Sequence, residues 1–205
     1  MYERRHSVFP GLTEGVKGLM ILNGLVFLGV LIAPQAGILL ALVPARILQT
    51  GSVYELLTAM FVHFAPAHLI FNMLALFFFG PQIERDLGTK RFIGAYLIAG
   101  LVGNICSFAV GPTSPIPTIG ASGAIMGIIA IFAYRYPDAQ MLVFFVLPVR
   151  AWTFLVFYVA LDLMMGLSSI GNSGGGIAYF AHVGGAVAGL VWYKYWYLPR
   201  RFKRF

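Results

Sequence analysis

The fold of this chain is decided by one short stretch, residues 120–127, which reads Gly120-Ala121-Ser122-Gly123-Ala124-Ile125-Met126-Gly127. The stretch places a serine between glycines at the start of an apolar run that ends near Tyr136. Two interpretations are open on these residues alone. Small residues let membrane helices pack closely, and a serine held at the start of a helix can also serve as a nucleophile. The positions of the other polar residues decide between the two.

The composition is that of an integral membrane protein. Of the 205 residues, 60% are hydrophobic and 10% are charged, whereas soluble domains carry roughly 25% charged residues. The single cysteine, Cys106, excludes an intramolecular disulfide. No charged group lies near it in the sequence to lower the pKa of its thiol, so a thiol nucleophile is not expected.

Hydropathy predicts an all-α membrane protein with six spanning helices. The predicted spans are residues 18–33, 66–83, 92–110, 120–136, 150–167 and 178–197. Residues 34–64 and 139–149 are apolar but interrupted by prolines, and we interpret them as an interfacial segment and a connector at the membrane edge. Three prolines within residues 111–119 exclude a helix there. A membrane domain of residues 18–197 thus lies between two polar tails, residues 1–17 and 198–205.

Lysine and arginine fall on one side of this predicted bundle. Six spans put both termini on the same side, and all but one of the 14 lysines and arginines then lie on that side. The exception is Arg46. Because basic residues accumulate in cytoplasmic loops, both termini are predicted to be cytoplasmic. The net charge of +7 therefore reflects membrane topology and does not indicate a nucleic-acid partner.

Polar residues recur near the outer ends of spans two, four and six, which run from outside to inside. His68 and Asn72 lie four residues apart on one face of span two, Ser122 begins span four, and His182 lies in span six. At the helical rise, Asn72, Ser122 and His182 all lie about 18–20 Å above the inner boundary of the bilayer core. Polar groups in hydrocarbon require partners and face the bundle interior. The shared depth favours a catalytic serine–histidine pair over simple helix packing.

Small residues provide a way for this pair to meet. Gly123 and Gly127 form a small-residue face on span four, and Gly185 and Gly189 form one on span six, so the two backbones are expected to approach closely. Span four covers only about 24 Å as a helix, so the proline-rich loop must dip into the membrane beside protein or water. Ser122 then lies at a helix N-terminus, whose N–H groups and dipole favour an oxyanion.

Three motifs in this order resemble the rhomboid intramembrane serine proteases: His63-x4-His68-x3-Asn72, Gly120-x-Ser122-Gly123 and Ala181-His182-x-Gly184-Gly185. The resemblance extends over nearly the whole chain. It implies Ser122 as nucleophile and His182 as general base and then acid. His68, Asn72 and the Ser122 backbone amide would form the oxyanion hole. The resemblance further implies an endopeptidase in the cell membrane that cleaves transmembrane protein substrates within the lipid bilayer near its outer face, without a metal or other cofactor.

Two positions depart from the pattern of that family. Tyr54-Glu55 replaces a Trp-Arg pair that is often seen in the first loop, and Met126 stands where some members have a tyrosine stacked on the catalytic histidine. The first change alters the lateral contacts of the loop. The second is expected to leave the catalytic histidine less rigidly held.

Other features are interpreted as structural or left open. His63 is predicted to make a structural hydrogen bond. Asp162, near the outer end of span five, invites a place in a catalytic triad. However, its span is not one of the three that carry the reacting groups, so we predict no such role. The uncharged, glycine-rich loop 168–176 is either a mobile cap over the site or a plain connector.

Two other functions remain open at the level of sequence. A rhomboid-like pseudoprotease would bind or escort membrane proteins without cleaving them, but such a binder has no need of a nucleophile–base pair. A small transporter or channel would also place polar groups at mid-depth. It would be expected to pair charged groups along a path, and Asp162 is the only acid high in the predicted bundle.

Overall fold

The computed structural model describes residues 11–143, 146–169 and 177–198, most of which are helical. The helices are α1 (Glu14–Ile32), α2 (Pro34–Leu40), α3 (Pro44–Thr50), α4 (Glu55–Thr58), α5 (Pro66–Leu87), α6 (Thr89–Val110), α7 (Ser122–Arg135), α8 (Ala151–Ser168) and α9 (Ile177–Val191). A 3₁₀ turn (Ala59–Phe61) follows α4, and a π-helical segment (Trp192–Tyr197) continues α9. The cap suggested for residues 168–176 lies outside the described residues, apart from Ser168 and Ser169.

Among the described residues, α1, α5, α6 and α8 are each long and apolar enough to cross a membrane. Helix α7 is shorter, with 14 residues, and α9 has 15 before its π-helical continuation. These helices overlap the predicted spans to within about one turn, the usual uncertainty of helix ends. At 14 residues, α7 is about 21 Å long, which confirms that this helix is shorter than a bilayer core.

Residues 33–65, here called the first loop, form short helices instead of a span. Proline occupies the first position of α2 and of α3, where its missing N–H costs no helical hydrogen bond. Gly51 ends α3 in the left-handed conformation, with φ 72°. Leu42 exchanges two backbone hydrogen bonds with Thr118 in the proline-rich loop. The two loops are therefore joined before the chain enters α7.

A small antiparallel hairpin interrupts the otherwise helical chain. Strand β1 (Gln140–Val143) pairs with β2 (Leu147–Arg150), with Met141 opposite Val149 and Leu142 opposite Pro148. The sequence suggested only a connector here, because a short apolar run does not distinguish strand from helix by its periodicity. Each strand of a two-stranded sheet is an edge strand, where proline is tolerated.

Helix α7 is the central element of the bundle. It contacts α5, α6, α8 and α9, and nearly all its residues from Gly123 to Ala133 are buried. Helix α1 packs on α5. The Glu84 carboxylate of α5 accepts hydrogen bonds from the Gly15 and Val16 N–H groups at 2.7 and 2.8 Å. The first residue of α7, Ser122, thus lies at one end of the most enclosed helix.

Candidate active site

The start of α7 is held by a tight glycine turn. Gly120 has φ 106°, a conformation that residues with a side chain rarely adopt. A Cβ atom at Gly120 would also lie 2.6 Å from Cε1 of His68. The Gly120 N–H donates to the Ala59 carbonyl at 2.9 Å. The turn therefore presents Ser122 from a backbone that is anchored to the first loop and packed against His68.

Ser122 and His182 meet as the sequence predicted. His182, on α9, places its Nε2 atom 2.8 Å from the Oγ atom of Ser122. The close approach of the two helices follows from their glycines. A Cβ atom at Gly189 would lie 2.5 Å from the Gly127 carbonyl oxygen, and one at Gly185 would collide with the Gly123 carbonyl. The predicted small-residue contact between these helices is confirmed.

Asp162, for which the sequence analysis predicted no place in a triad, lies in direct contact with His182. Its Oδ2 atom is 3.1 Å from Nδ1 of His182, the nitrogen that does not face Ser122. The prediction considered only the spans that run from outside to inside. Helix α8 packs directly on α9, so its side chains also reach this histidine. The available signal was the rarity of an acid inside a membrane span, which by itself suggests a functional site.

Helix α5 contributes the two other predicted site residues. The Asn72 side-chain amide donates to the His68 carbonyl one turn earlier, at 2.9 Å, and Asn72 is only 6% exposed. The His68 imidazole packs against Gly120 and lies within electrostatic range of His182. The structure thus brings His68 to the turn that presents Ser122. The oxyanion role of both residues stays a prediction.

His63 makes the structural hydrogen bond that was predicted for it. This buried residue lies in the first loop, outside the spanning helices. Its Nδ1 atom lies 3.3 Å from the Phe61 carbonyl, and its Nε2 atom accepts from the Ala121 N–H at 3.4 Å. Burial, and then the charge of nearby His68, lower the pKa of His63 to about 4. The imidazole is therefore neutral at physiological pH, and Nε2 remains an acceptor for the residue before Ser122.

The first loop carries a polar network at Tyr54-Glu55, where the rhomboid proteases that the sequence resembles often have a Trp-Arg pair. The buried Glu55 carboxylate accepts from Arg46 Nε at 2.6 Å, from the Val43 N–H at 2.8 Å, and from the Ser52 hydroxyl. Burial by itself raises the pKa of Glu55, but these hydrogen bonds outweigh burial and hold the pKa below its usual value. Glu55 begins α4, which leads directly to Ala59, so the network orders the segment that anchors Gly120.

The second departure, Met126, is buried among the apolar residues of the core. The aromatic ring beside His182 comes instead from Tyr158 of α8, with ring centroids 6.1 Å apart. Tyr158 lies one turn before Asp162, so both side chains project from the same face of α8. The contacts around this histidine therefore come from a helix that the motif did not include.

Comparison with known proteins gives an independent result. A family profile described as Rhomboid domain matches residues 50–199. The chain is 34% identical over 143 residues to the Rhomboid protease GluP of Bacillus subtilis (strain 168), covering 70% of this chain and 26% of that protein. It is 30% identical over 161 residues to the RHOMBOID-like protein 12, mitochondrial, of Arabidopsis thaliana, covering 70% and 47%. It is 33% identical over 146 residues to the human Presenilin-associated rhomboid-like protein, mitochondrial, covering 67% and 36%.

The matched region spans about a quarter to a half of the length of these relatives. Within this chain, the profile covers His63 and His68, the turn before Ser122 and the helix that carries His182. The apolar helices make this a multi-pass membrane protein. The extent of the profile match and the identity to several relatives establish that the chain belongs to the rhomboid family, which includes intramembrane serine proteases.

Proposed function

We propose that this protein is an intramembrane serine endopeptidase that cleaves transmembrane proteins near the outer membrane face. The observation that carries the proposal is the 2.8 Å distance between Ser122 Oγ and His182 Nε2. A nucleophile within hydrogen-bond reach of a base is the arrangement that activates a serine for acyl transfer. Membership of a family that includes proteases supports the same reading.

In the proposed reaction, His182 acts first as a base and then as an acid. Its Nε2 atom takes the Ser122 hydroxyl proton as Oγ attacks the scissile carbonyl, and it then gives this proton to the leaving amine. A water molecule hydrolyses the resulting acyl-enzyme by the same two proton transfers. The products are a new carboxyl terminus and a new amino terminus.

The developing oxyanion would be stabilised by donors from two helices. The backbone N–H of Ser122 is at the start of α7, where helical N–H groups lack partners within the helix and the helix dipole favours negative charge. Asn72 has two amide protons, of which one is used by the His68 carbonyl. The second Asn72 proton and the His68 imidazole would supply the remaining donors.

The proposal includes a membrane orientation. The chain would cross the cell membrane six times, with both tails in the cytoplasm and Ser122 closer to the outer face. The charges of the described residues support this orientation. Arg46 is the one described lysine or arginine at the end of the bundle that holds Ser122. Arg85, Arg91 and Arg135 all lie at the other end of the bundle.

Labelling with a fluorophosphonate probe tests the proposal. Such probes form a covalent bond with an activated serine, so the purified wild-type protein should be labelled and should cleave a transmembrane substrate. Ser122→Ala should lose both properties. His182→Ala should also lose labelling, because a serine hydroxyl is weakly nucleophilic without its base. Folded wild-type protein that neither labels nor cleaves would contradict the proposal and favour a binding protein.

A further inference from the structure

The Asp162 carboxylate occupies the far side of the candidate base. His182 is contacted at both ring nitrogens, at Nε2 by Ser122 Oγ at 2.8 Å and at Nδ1 by Asp162 Oδ2 at 3.1 Å. The three groups come from α7, α9 and α8 and form a continuous chain. Asp162 is 5% exposed, and the His182 side chain is 17% exposed. The contact is therefore enclosed within the helix bundle.

We propose that Asp162 is a positioning residue that completes the Ser122–His182 pair, an inference that rests on the function proposed above. An ionised carboxylate can only accept hydrogen bonds. The neutral His182 ring must then carry its proton on Nδ1, which leaves the lone pair of Nε2 free to accept from Ser122. In the other tautomer, Nε2 would carry the proton and could not act as a base. Asp162 thus selects the reactive tautomer and orients the ring.

The proton balance leaves Asp162 ionised throughout the cycle. When Ser122 attacks, its proton moves to Nε2 of His182 while the Nδ1 proton stays between His182 and Asp162. The ring is then an imidazolium, and the carboxylate 3.1 Å away stabilises its positive charge. The Nε2 proton leaves with the amine, and the neutral ring returns to its starting tautomer. Asp162 acts through His182 and does not touch the substrate.

The location of Asp162 supports this role over a purely structural one. A buried carboxylate is costly unless it is paired or hydrogen-bonded, and its hydrogen-bond partner among the described residues is the candidate base itself. Among the described residues, the titratable groups found beside His182 are Asp162 and Tyr158 on α8 and His68 on α5. Asp162 is the acidic member of this set. Its negative charge therefore stabilises the imidazolium that forms when His182 takes the Ser122 proton.

Asp162→Asn tests the proposal, with Asp138→Asn as a matched control. Asp138 is exposed in the connector after α7, where it pairs with Arg150. In Asp162→Asn, kcat should fall by roughly 10²-fold or more, with little change in KM, because tautomer and charge matter to the reaction and not to substrate binding. Asp162→Glu, which keeps the carboxylate, should recover part of the rate.

A purely structural role would lower the amount of folded protein without changing kcat per folded molecule. An Asp162→Asn protein with wild-type kcat, in a preparation whose wild type is active, would overturn the inference and leave the proposed function intact. An inactive, unlabelled wild type would instead contradict the proposed function itself.

If Asp162→Asn does not fold, the tautomer can be measured directly. Nitrogen-15 spectra of histidine-labelled wild-type protein, with the His182 signals assigned by their loss in His182→Gln, should show the neutral ring protonated at Nδ1. Protonation at Nε2 would overturn the inference.

Discussion

At the scale of single residues, two equally buried asparagines each donate a side-chain hydrogen bond to a backbone carbonyl. Asn72 donates its side-chain amide to the His68 carbonyl at 2.9 Å, and Asn104 donates to the Leu56 carbonyl at 2.9 Å. Each is 6% exposed. Only Asn72 belongs to the helix face that carries His68. Comparing alanine variants of the two residues therefore distinguishes an effect on the reaction from the general cost of losing a buried amide.

Asn72→Ala should lower kcat by about 10²–10³-fold while changing KM much less, because an oxyanion donor acts mainly in the transition state. His68→Ala should lower kcat in the same way, with a smaller loss where water replaces the imidazole. Steady-state cleavage of a transmembrane substrate measures both effects. Asn104→Ala is the control and should retain the kcat of the wild type per folded molecule. Full kcat in both α5 variants would show that His68 and Asn72 take no part in the reaction.

At the scale of secondary-structure elements, the close packing of α7 on α9 depends on glycines, which have no side chains to hold the helices apart. Gly123 and Gly127 lie against Gly185 and Gly189, with backbone atoms where Cβ atoms would otherwise be. Lipid provides little hydrophobic drive for helices to associate, so close van der Waals packing carries much of the association. The same contact sets the distance between Ser122 and His182, because each lies within one turn of a packed glycine.

Gly185→Ala should destabilise the folded protein by about 1–3 kcal/mol, because its methyl group would meet the Gly123 backbone, which cannot rotate away. The free energy of unfolding in detergent measures this loss. Gly94→Ala on α6 is the matched control, since a Cβ atom there meets nothing within 4 Å. It should be neutral or slightly stabilising. Equal stability of Gly185→Ala and the wild type would contradict the close packing of these helices.

At the scale of the whole molecule, the described lysines and arginines are divided unequally between the two ends of the bundle. One end holds the first loop, where Arg46 is paired with Glu55, and the turn before Ser122. The other end holds Glu84, which secures the start of α1, and an ion pair between Asp86 and Arg135. This unequal distribution of basic residues is what a protein with a fixed orientation in the membrane is expected to have.

The orientation predicts opposite accessibility for two engineered cysteines in a Cys106→Ala background. Gln49, exposed in α3, lies at the end that holds Ser122, and Asp138 lies beyond the other end of α7. In intact bacterial cells, a membrane-impermeant maleimide should label Gln49→Cys. Asp138→Cys should be labelled only after the membrane is permeabilised. Labelling of Asp138→Cys in intact cells would contradict the proposed topology.

Particular residues show where prediction from the sequence succeeded and where it stopped. Ser122 and His182 were paired in advance because membrane depth can be counted along each helix. The contact of Asp162 with His182 was not predicted, because depth does not say how a helix is rotated or which neighbour it faces. His63 was correctly assigned a structural hydrogen bond, but its partner, the Ala121 N–H, depends on a loop whose path the sequence does not specify.

The sequence by itself determined the membrane class, the positions of the long helices, the short α7 and the serine–histidine pair. These follow from hydropathy, proline positions and spacing, which are local properties of the chain. Only the tertiary structure decided the contact of Asp162 with His182, the ring of Tyr158 beside it and the hairpin of β1 with β2. Each of these depends on how separate segments pack in three dimensions. No pattern within a single segment encodes that packing, because many rotations of an apolar helix bury similar surface.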